Sequence, residues 1–148
     1  MNTITESLVK ILDRDLNKLE EEIKLFPTEA SLWKISGSVK NAAGNLCLHL
    51  CGNLQHFIGA VLGGTPYQRN RDHEFAARNI PRSELIAEIQ NTKIAVRTTL
   101  ETLDTSALDR EYPLEVLGYP MTTTYFLIHL AAHLGYHLGQ VNYLRRLL

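Results

Sequence analysis

Three histidines recur at every fourth residue, His129, His133 and His137, in the apolar run HLAAHLGYHLGQ. On a helix, residues four apart differ by about 40° around the axis, so a neighbouring pair can aim both imidazoles at one ion. All three cannot do so without strain, because His129 stands about 80° from His137. Two imidazoles are borderline ligands for a divalent metal, and an exchangeable site needs at least one further donor from another helix. The stretch LCLHLCGNLQHF offers candidates, since His49, Asn53 and His56 follow a four-then-three spacing and share one face. Cys47 and Cys51 share another face, about 160° around the axis from His49, which disfavours a Cys-Cys-His zinc site. A lone histidine on an apolar helical face is ordinarily a core or interface residue. Here five of the six histidines fall on two such faces, and each unpaired buried imidazole would cost a few kcal/mol, so the clustering favours a metal.

These residues need long helices to carry them. From residue 3 to about residue 26, Ile4, Leu8, Ile11, Leu12, Leu16, Leu19 and Ile23 form one apolar stripe, which Pro27 ends. The following PTEASLWKISGSVKN reads as an ordered loop that packs Trp33 onto the bundle end. The spacing predicts a second helix over residues 39–62, stopped by Gly63 and Gly64. A third starts near Pro81 and carries Leu85, Ile89, Ala95, Val96, Leu100 and Leu103; a fourth begins among Thr122, Thr123 and Thr124 and continues to residue 148. No segment reads as paired strands. The expected fold is all-α, a four-helix bundle. The second and third helices are joined by about 18 residues, far more than the 2 to 8 usual between antiparallel neighbours. This predicts a long crossing loop and an up-down-down-up order.

Length and composition agree with one domain over residues 1–148. Hydrophobic content of 45% with 21% charged residues is that of a soluble globular protein, and a net charge of -1 gives no electrostatic reason to bind nucleic acid or anionic lipid. The segment MNTITESLVKILDRDLNKLEEEIK carries acids and bases throughout, unlike a signal or transit peptide, and no run approaches the ~18 apolar residues of a membrane span. Cys47 and Cys51 read as reduced thiols of a cytoplasmic protein. No Ser-His-Asp order, phosphate loop or nucleotide fingerprint competes with the metal.

Taken together, HLCGNLQHFIGAVLGG, RNRDHEF and HLAAHLGYHLGQVNYL resemble the DinB/YfiT-like superfamily across essentially the whole chain. HLGYHLGQ matches its HxxxH-x-GQ signature, with Leu138 where many members have a basic residue. The resemblance, closest to an uncharacterised branch, implies an up-down-down-up bundle, commonly a homodimer, holding one divalent metal on His49, His133 and His137. Members with assigned activity are metal-dependent thiol transferases that use low-molecular-weight thiols such as bacillithiol or mycothiol; isomerases and hydrolases are related. Three neutral imidazoles leave an ion with open positions, and it can lower the pKa of a bound water or thiol. Zinc and nickel suit such ligands, and manganese, cobalt or iron is compatible. The first expectation is thiol transfer to a small electrophile. Hydrolysis at the same metal is the second, and a non-catalytic bundle that dimerises or senses a ligand is the third.

Further expectations concern the surroundings. If the second and fourth helices are antiparallel, seven residues along one correspond to seven back along the other, which predicts that His56 and His129 lie together as pocket lining or proton-transfer groups; alternatively, one or both simply pack at a helix or dimer interface. The loop TPYQRNRDHEFAARN offers Arg71 as a fork for a substrate carboxylate and Glu74 as an acid or base; alternatively, Arg71 and Glu74 pair and merely fix the loop. Asn53 and Gln140 are candidates to hydrogen-bond the ligand imidazoles. Tyr136 and Tyr143 read as bundle or dimer packing, and Gly135 with Gly139 as permitting a close helix approach.

Overall fold

The computed structural model describes all 148 residues. Helix α1 (Thr3–Leu25) starts where the Asn2 side chain accepts the Thr5 N–H at 3.0 Å and the Thr5 hydroxyl answers the Asn2 backbone. Its buried stripe runs through Leu8, Leu12, Leu16, Leu19 and Ile23, whereas Ile4 and Ile11 are exposed. Seven residues apart, these two lie together at the edge of the stripe, turned away from the core.

Helix α2 (Ala43–Leu54) begins four residues later than the spacing predicts. Residues 34–40 stay on the surface, with Gly37 among them at a left-handed φ of 60°, and helix begins only where burial resumes, at Ala42 and Ala43. The Trp33 ring packs against the first turn of α2 at Gly44, where a Cβ would overlap the indole. Beyond Leu54 the helix widens. Over Gln55–Ala60 the backbone closes i→i+5 hydrogen bonds, as from the Val61 N–H to the His56 carbonyl at 3.0 Å.

The loop that follows contains the short helix α3 (Arg71–Ala76), capped by Asn70 through the His73 N–H. It is tied to α2 by Asn45, only 1% exposed, whose amide donates to the carbonyls of Glu74 (3.0 Å), Phe75 (3.3 Å) and Ala77 (2.9 Å). Helix α4 (Arg82–Thr102) and helix α5 (Thr123–Leu147) follow, the latter capped by the Thr122 hydroxyl. The extended backbone forms no strand, only an isolated bridge between Glu111 and Thr122. The fold is all-helical, and no helix is long and apolar enough to cross a membrane.

The four long helices share one core. Helix α1 lies against α4 and α5, and α2 lies against the same two. The Leu12, Leu16, Leu50, Leu54, Leu85, Ile89, Phe126 and Leu134 side chains close the space between them. Along the α2–α5 seam, Leu46 shares a cavity wall with Leu144, His49 meets His133 and His137, and Phe57 meets Phe126. Numbers rise on one helix as they fall on the other, so these two are antiparallel. Replacing Asn45→Ala removes its bonds to three carbonyls of the crossing loop, of which Phe75 and Ala77 keep a bond from Arg78 and Glu74 keeps no side-chain donor, and is expected to cost about 1–3 kcal/mol. Urea denaturation measures it; an unchanged midpoint would show that the loop does not depend on this anchor.

Candidate metal centre

The antiparallel seam brings two turns of α5 against one of α2. The His49 ring centroid lies 5.1 Å from that of His133 and 5.3 Å from that of His137, and the latter two are 4.6 Å apart. One nitrogen from each ring lies within 4.8 Å of the other two. His49 is 7% exposed, and His133 and His137 are half-buried.

What the outer nitrogens touch decides which way the lone pairs point. His49 Nδ1 lies 3.1 Å from Glu74 Oε1, and His137 Nδ1 lies 2.7 Å from Gln140 Oε1. A carboxylate or amide oxygen only accepts, so each Nδ1 carries the proton and each Nε2 keeps its lone pair for the interior of the group. His49 Nε2 and His133 Nε2 face one another at 3.2 Å, the arrangement that a shared cation, or otherwise a proton, reconciles. The donor set therefore fits one divalent ion, and no fourth His, Cys, Asp or Glu completes the group, as a closed structural site would need.

Burial and neighbouring groups favour the neutral form of His133 and His137. Burial, reinforced by His137, His49, His129 and Arg69, pushes His133 down to about 4. Burial also lowers His137, against the opposing effect of its bond to Gln140. Burial alone would raise Glu74, but the bonds from His49 and Arg69 outweigh it and hold the carboxyl below its ordinary range.

The partner of Glu74 is Arg69. Its Nε and Nη2 donate to Oε2 at 2.9 Å and to Oε1 at 3.0 Å. Nη2 also lies 3.3 Å from His49 Nδ1, but both are donors brought close by the oxygen they share. The expected pairing of Arg71 with Glu74 is corrected. Arg71 is exposed on the outer side of α3, 5.3 Å over the Phe75 ring, while Glu74 turns inward toward α2. With its oxygens occupied in this way, Glu74 stands behind His49 and not as a free acid or base. Gly52 makes room for it, since a Cβ there would collide with Glu74 Oε2. Sequence reasoning missed the roles of Arg69 and Gly52; a glycine inside a helical run, three residues after a candidate ligand, was the available signal.

The remaining candidates are distributed along the seam. His129 stacks on Phe126 at 5.7 Å and lies 6.3 Å from His133. His56 sits edge-on to Phe57 at 4.8 Å, with its pKa lowered by burial and by Arg69. The Phe57 and Phe126 rings, 5.2 Å apart, join those two neighbourhoods, and the structure shows no ring contact between His56 and His129. The register count assumed regular α-helix through His56, which the wide turn does not supply. Asn53 makes no bond to an imidazole; it is buried with Oδ1 unpaired. Cys47 and Cys51 are buried and unpaired to any disulfide, and hydrogen bonding between them, with burial, raises the Cys47 thiol well above its usual range. Tyr136 and Tyr143 are exposed, and the expected close approach at Gly135 and Gly139 does not occur within this chain, where nothing lies within 4 Å of a Cβ built at Gly139.

An unfolded histidine titrates near 6.5 and folded His133 near 4, so between those values the unfolded chain holds the extra proton. Stability of the metal-free fold is therefore complete above that window and is lost as pH falls through it. Urea midpoints of chelator-treated protein should drop between pH 6.5 and 4, less so in His133→Ala; equal slopes in both proteins would contradict the assignment.

Comparison with curated proteins finds no match to this chain. Its family relationship is nevertheless shown by a match that runs from residue 4 to residue 148 and so takes in all three histidines and the loop behind them. The chain belongs to DUF1572, a family described as protein of unknown function.

Proposed function

We propose that this chain is a divalent-metal-dependent enzyme of the DinB/YfiT type that transfers a low-molecular-weight thiol to a small electrophile, with His49, His133 and His137 as ligands. The observation that carries this reading is the convergence of three imidazoles, two with their outer protons held by acceptors, and with no fourth protein ligand. An up-down-down-up order is part of the proposal. Supporting it, Asp13, Asn17 and Glu20 of α1 meet Arg97, Lys93 and Gln90 of α4, an antiparallel sequence of contacts. Gln55 with Glu88 and Thr92, then Gly59 with Ala95, run parallel between α2 and α4, and Asp15 with Gly135, then Glu22 with Asn142, run parallel between α1 and α5.

A divalent ion on such ligands supplies Lewis acidity, favouring the anionic form of a thiol or water beside it. The protein's own groups favour the thiol. Glu74, the carboxylate bonded within the group, is committed to His49 and Arg69, so it does not stand ready as a base for water. A thiol, ordinarily titrating near 8.5 against about 15.7 for water, has less need of one. His129, half-buried with its ring 6.3 Å from that of His133, is the proposed acceptor of the thiol proton. One turn further along the same seam, a cavity of about 280 Å³ is lined by Leu46, Leu144, Leu147 and Tyr143 and shares Gln140 with the histidine group. It suits the apolar body of a small substrate. Zinc or nickel is the proposed metal, with manganese, cobalt or iron compatible. Two buried unpaired thiols suit a reducing cytoplasm, and exposed Tyr136 and Tyr143 suit a homodimer face.

The test uses protein purified without a polyhistidine tag, which would carry nickel over. Wild type is expected to contain about one equivalent of divalent metal and the His133→Ala, His137→Ala double variant almost none. Equal, near-zero metal in both would defeat the metal reading. Metal-loaded wild type should consume a small-molecule thiol in the presence of 1-chloro-2,4-dinitrobenzene faster than the double variant does. Ester cleavage without thiol, and no thiol consumption, would move the assignment to hydrolysis.

A further inference from the structure

His49 differs from the other two histidines in how it is held. Its outer nitrogen is bonded by a residue 25 positions later, carried on the crossing loop. Holding Glu74 there takes three separate features. Arg69 forks onto both of its oxygens, and the Asn45 amide fixes the backbone at Glu74, Phe75 and Ala77. Gly52 leaves open the volume that the carboxylate fills. Phe75 of the same loop completes the enclosure, its ring 4.9 Å from that of His49.

The ion pair is sheltered, with side-chain exposures of 11% for Arg69 and 5% for Glu74. Desolvation leaves such a pair little net stability, so fastening the loop does not by itself explain it. Its third member does. A carboxylate on a ligand's outer N–H fixes the tautomer and ring orientation and makes the inner nitrogen a stronger donor.

We propose that Arg69 and Glu74 are positioning residues, a clamp through which the crossing loop fixes His49 with Nδ1 protonated and Nε2 directed at His133 and His137, and that Gly52 is the gap that admits the clamp. The inference rests on the metal reading above. By linkage, a metal that binds the clamped histidine more tightly also favours the closed loop to the same extent. The competing account is a loop fastener that touches His49 incidentally, and the two differ in what they do to metal affinity and to the tautomer.

The experiment takes metal-free full-length protein and measures zinc affinity against a chromogenic chelator, with histidine side-chain nitrogen NMR on the same samples. Glu74→Gln, nearly isosteric, should weaken zinc binding by about 10- to 100-fold. Gly52→Ala, which alters no ionisable group, should weaken it comparably by displacing the carboxylate. In a Glu74→Ala background, where the collision is gone, Gly52→Ala should change affinity by no more than about twofold. His49 should be the Nδ1–H tautomer in metal-free wild type and a mixture in Gly52→Ala. Zinc affinity equal to wild type in both single variants, with only folding stability reduced, would leave a fastener and overturn the clamp. If wild type itself takes up no zinc, the metal reading falls, and the tautomers of metal-free wild type and Gly52→Ala still decide the clamp: an unchanged His49 overturns it.

Discussion

The antiparallel contact of α2 with α5 is the constraint on which the rest depends. Imidazole is a poor guest in an apolar seam, because each ring brings two nitrogens that lose water on burial. Three of them stand together between helices otherwise joined by leucine and phenylalanine. The arrangement is tolerable when every ring is neutral, its outer proton has an acceptor and its inner lone pair has a positive partner. The structure meets the second condition at His49 and His137 and leaves His133 Nδ1 buried without a partner. That incompleteness is what sets the group apart from a set of satisfied core histidines.

Helix α2 bears most of the accommodation. Glycine costs roughly 1 kcal/mol relative to alanine within a helix, yet α2 carries Gly44 and Gly52 within twelve residues. At each, a neighbour occupies the place of a side chain: the Trp33 ring at one, the Glu74 carboxylate at the other. The helix thus gives up local stability for two close approaches, one that docks the preceding loop and one that lets the following loop reach His49. The wide turn after Leu54 is a third departure from regular helix on the same element. Helix α1, remote from the histidines, shows none of these and reads as a plain amphipathic helix.

That contrast explains how much was legible in the sequence. Local periodicity located α4 and α5 closely, and the four-residue spacing of His133 and His137 put them on one face because α5 is regular there. Gln140 was accessible to the same reasoning, being three residues from His137. Whatever depends on α2 and its loops was less accessible. The expected start at residue 39 failed because Val39 and its neighbours stay exposed and burial resumes only at Ala42, and the predicted meeting of His56 with His129 assumed regular geometry beyond Leu54. Choosing Arg71 over Arg69 had the same origin. Both flank Glu74 at plausible distances in sequence, and only the direction of α3 decides that one faces solvent and the other turns back toward α2.

The three histidines are therefore held by three different kinds of partner, and this bears on how the proposed site would operate. His137 is held by its own helix, through Gln140, so its orientation comes with the folding of α5. His133 has no partner on its outer nitrogen and meets the group only through Nε2, 3.2 Å from that of His49. His49 is held by a charged group from a loop that must close over α2 before the bond exists. Two of the histidines are thus in place once the bundle forms, and the third is completed by the crossing loop. On the proposed metal reading, loop position and metal affinity would be set together, and changes in residues 69–77 would reach the histidine group through the Glu74 bond to His49 and the Phe75 ring packed beside it. An uncharged helix residue, Gly52, is therefore as much a part of the proposed clamp as the carboxylate it admits.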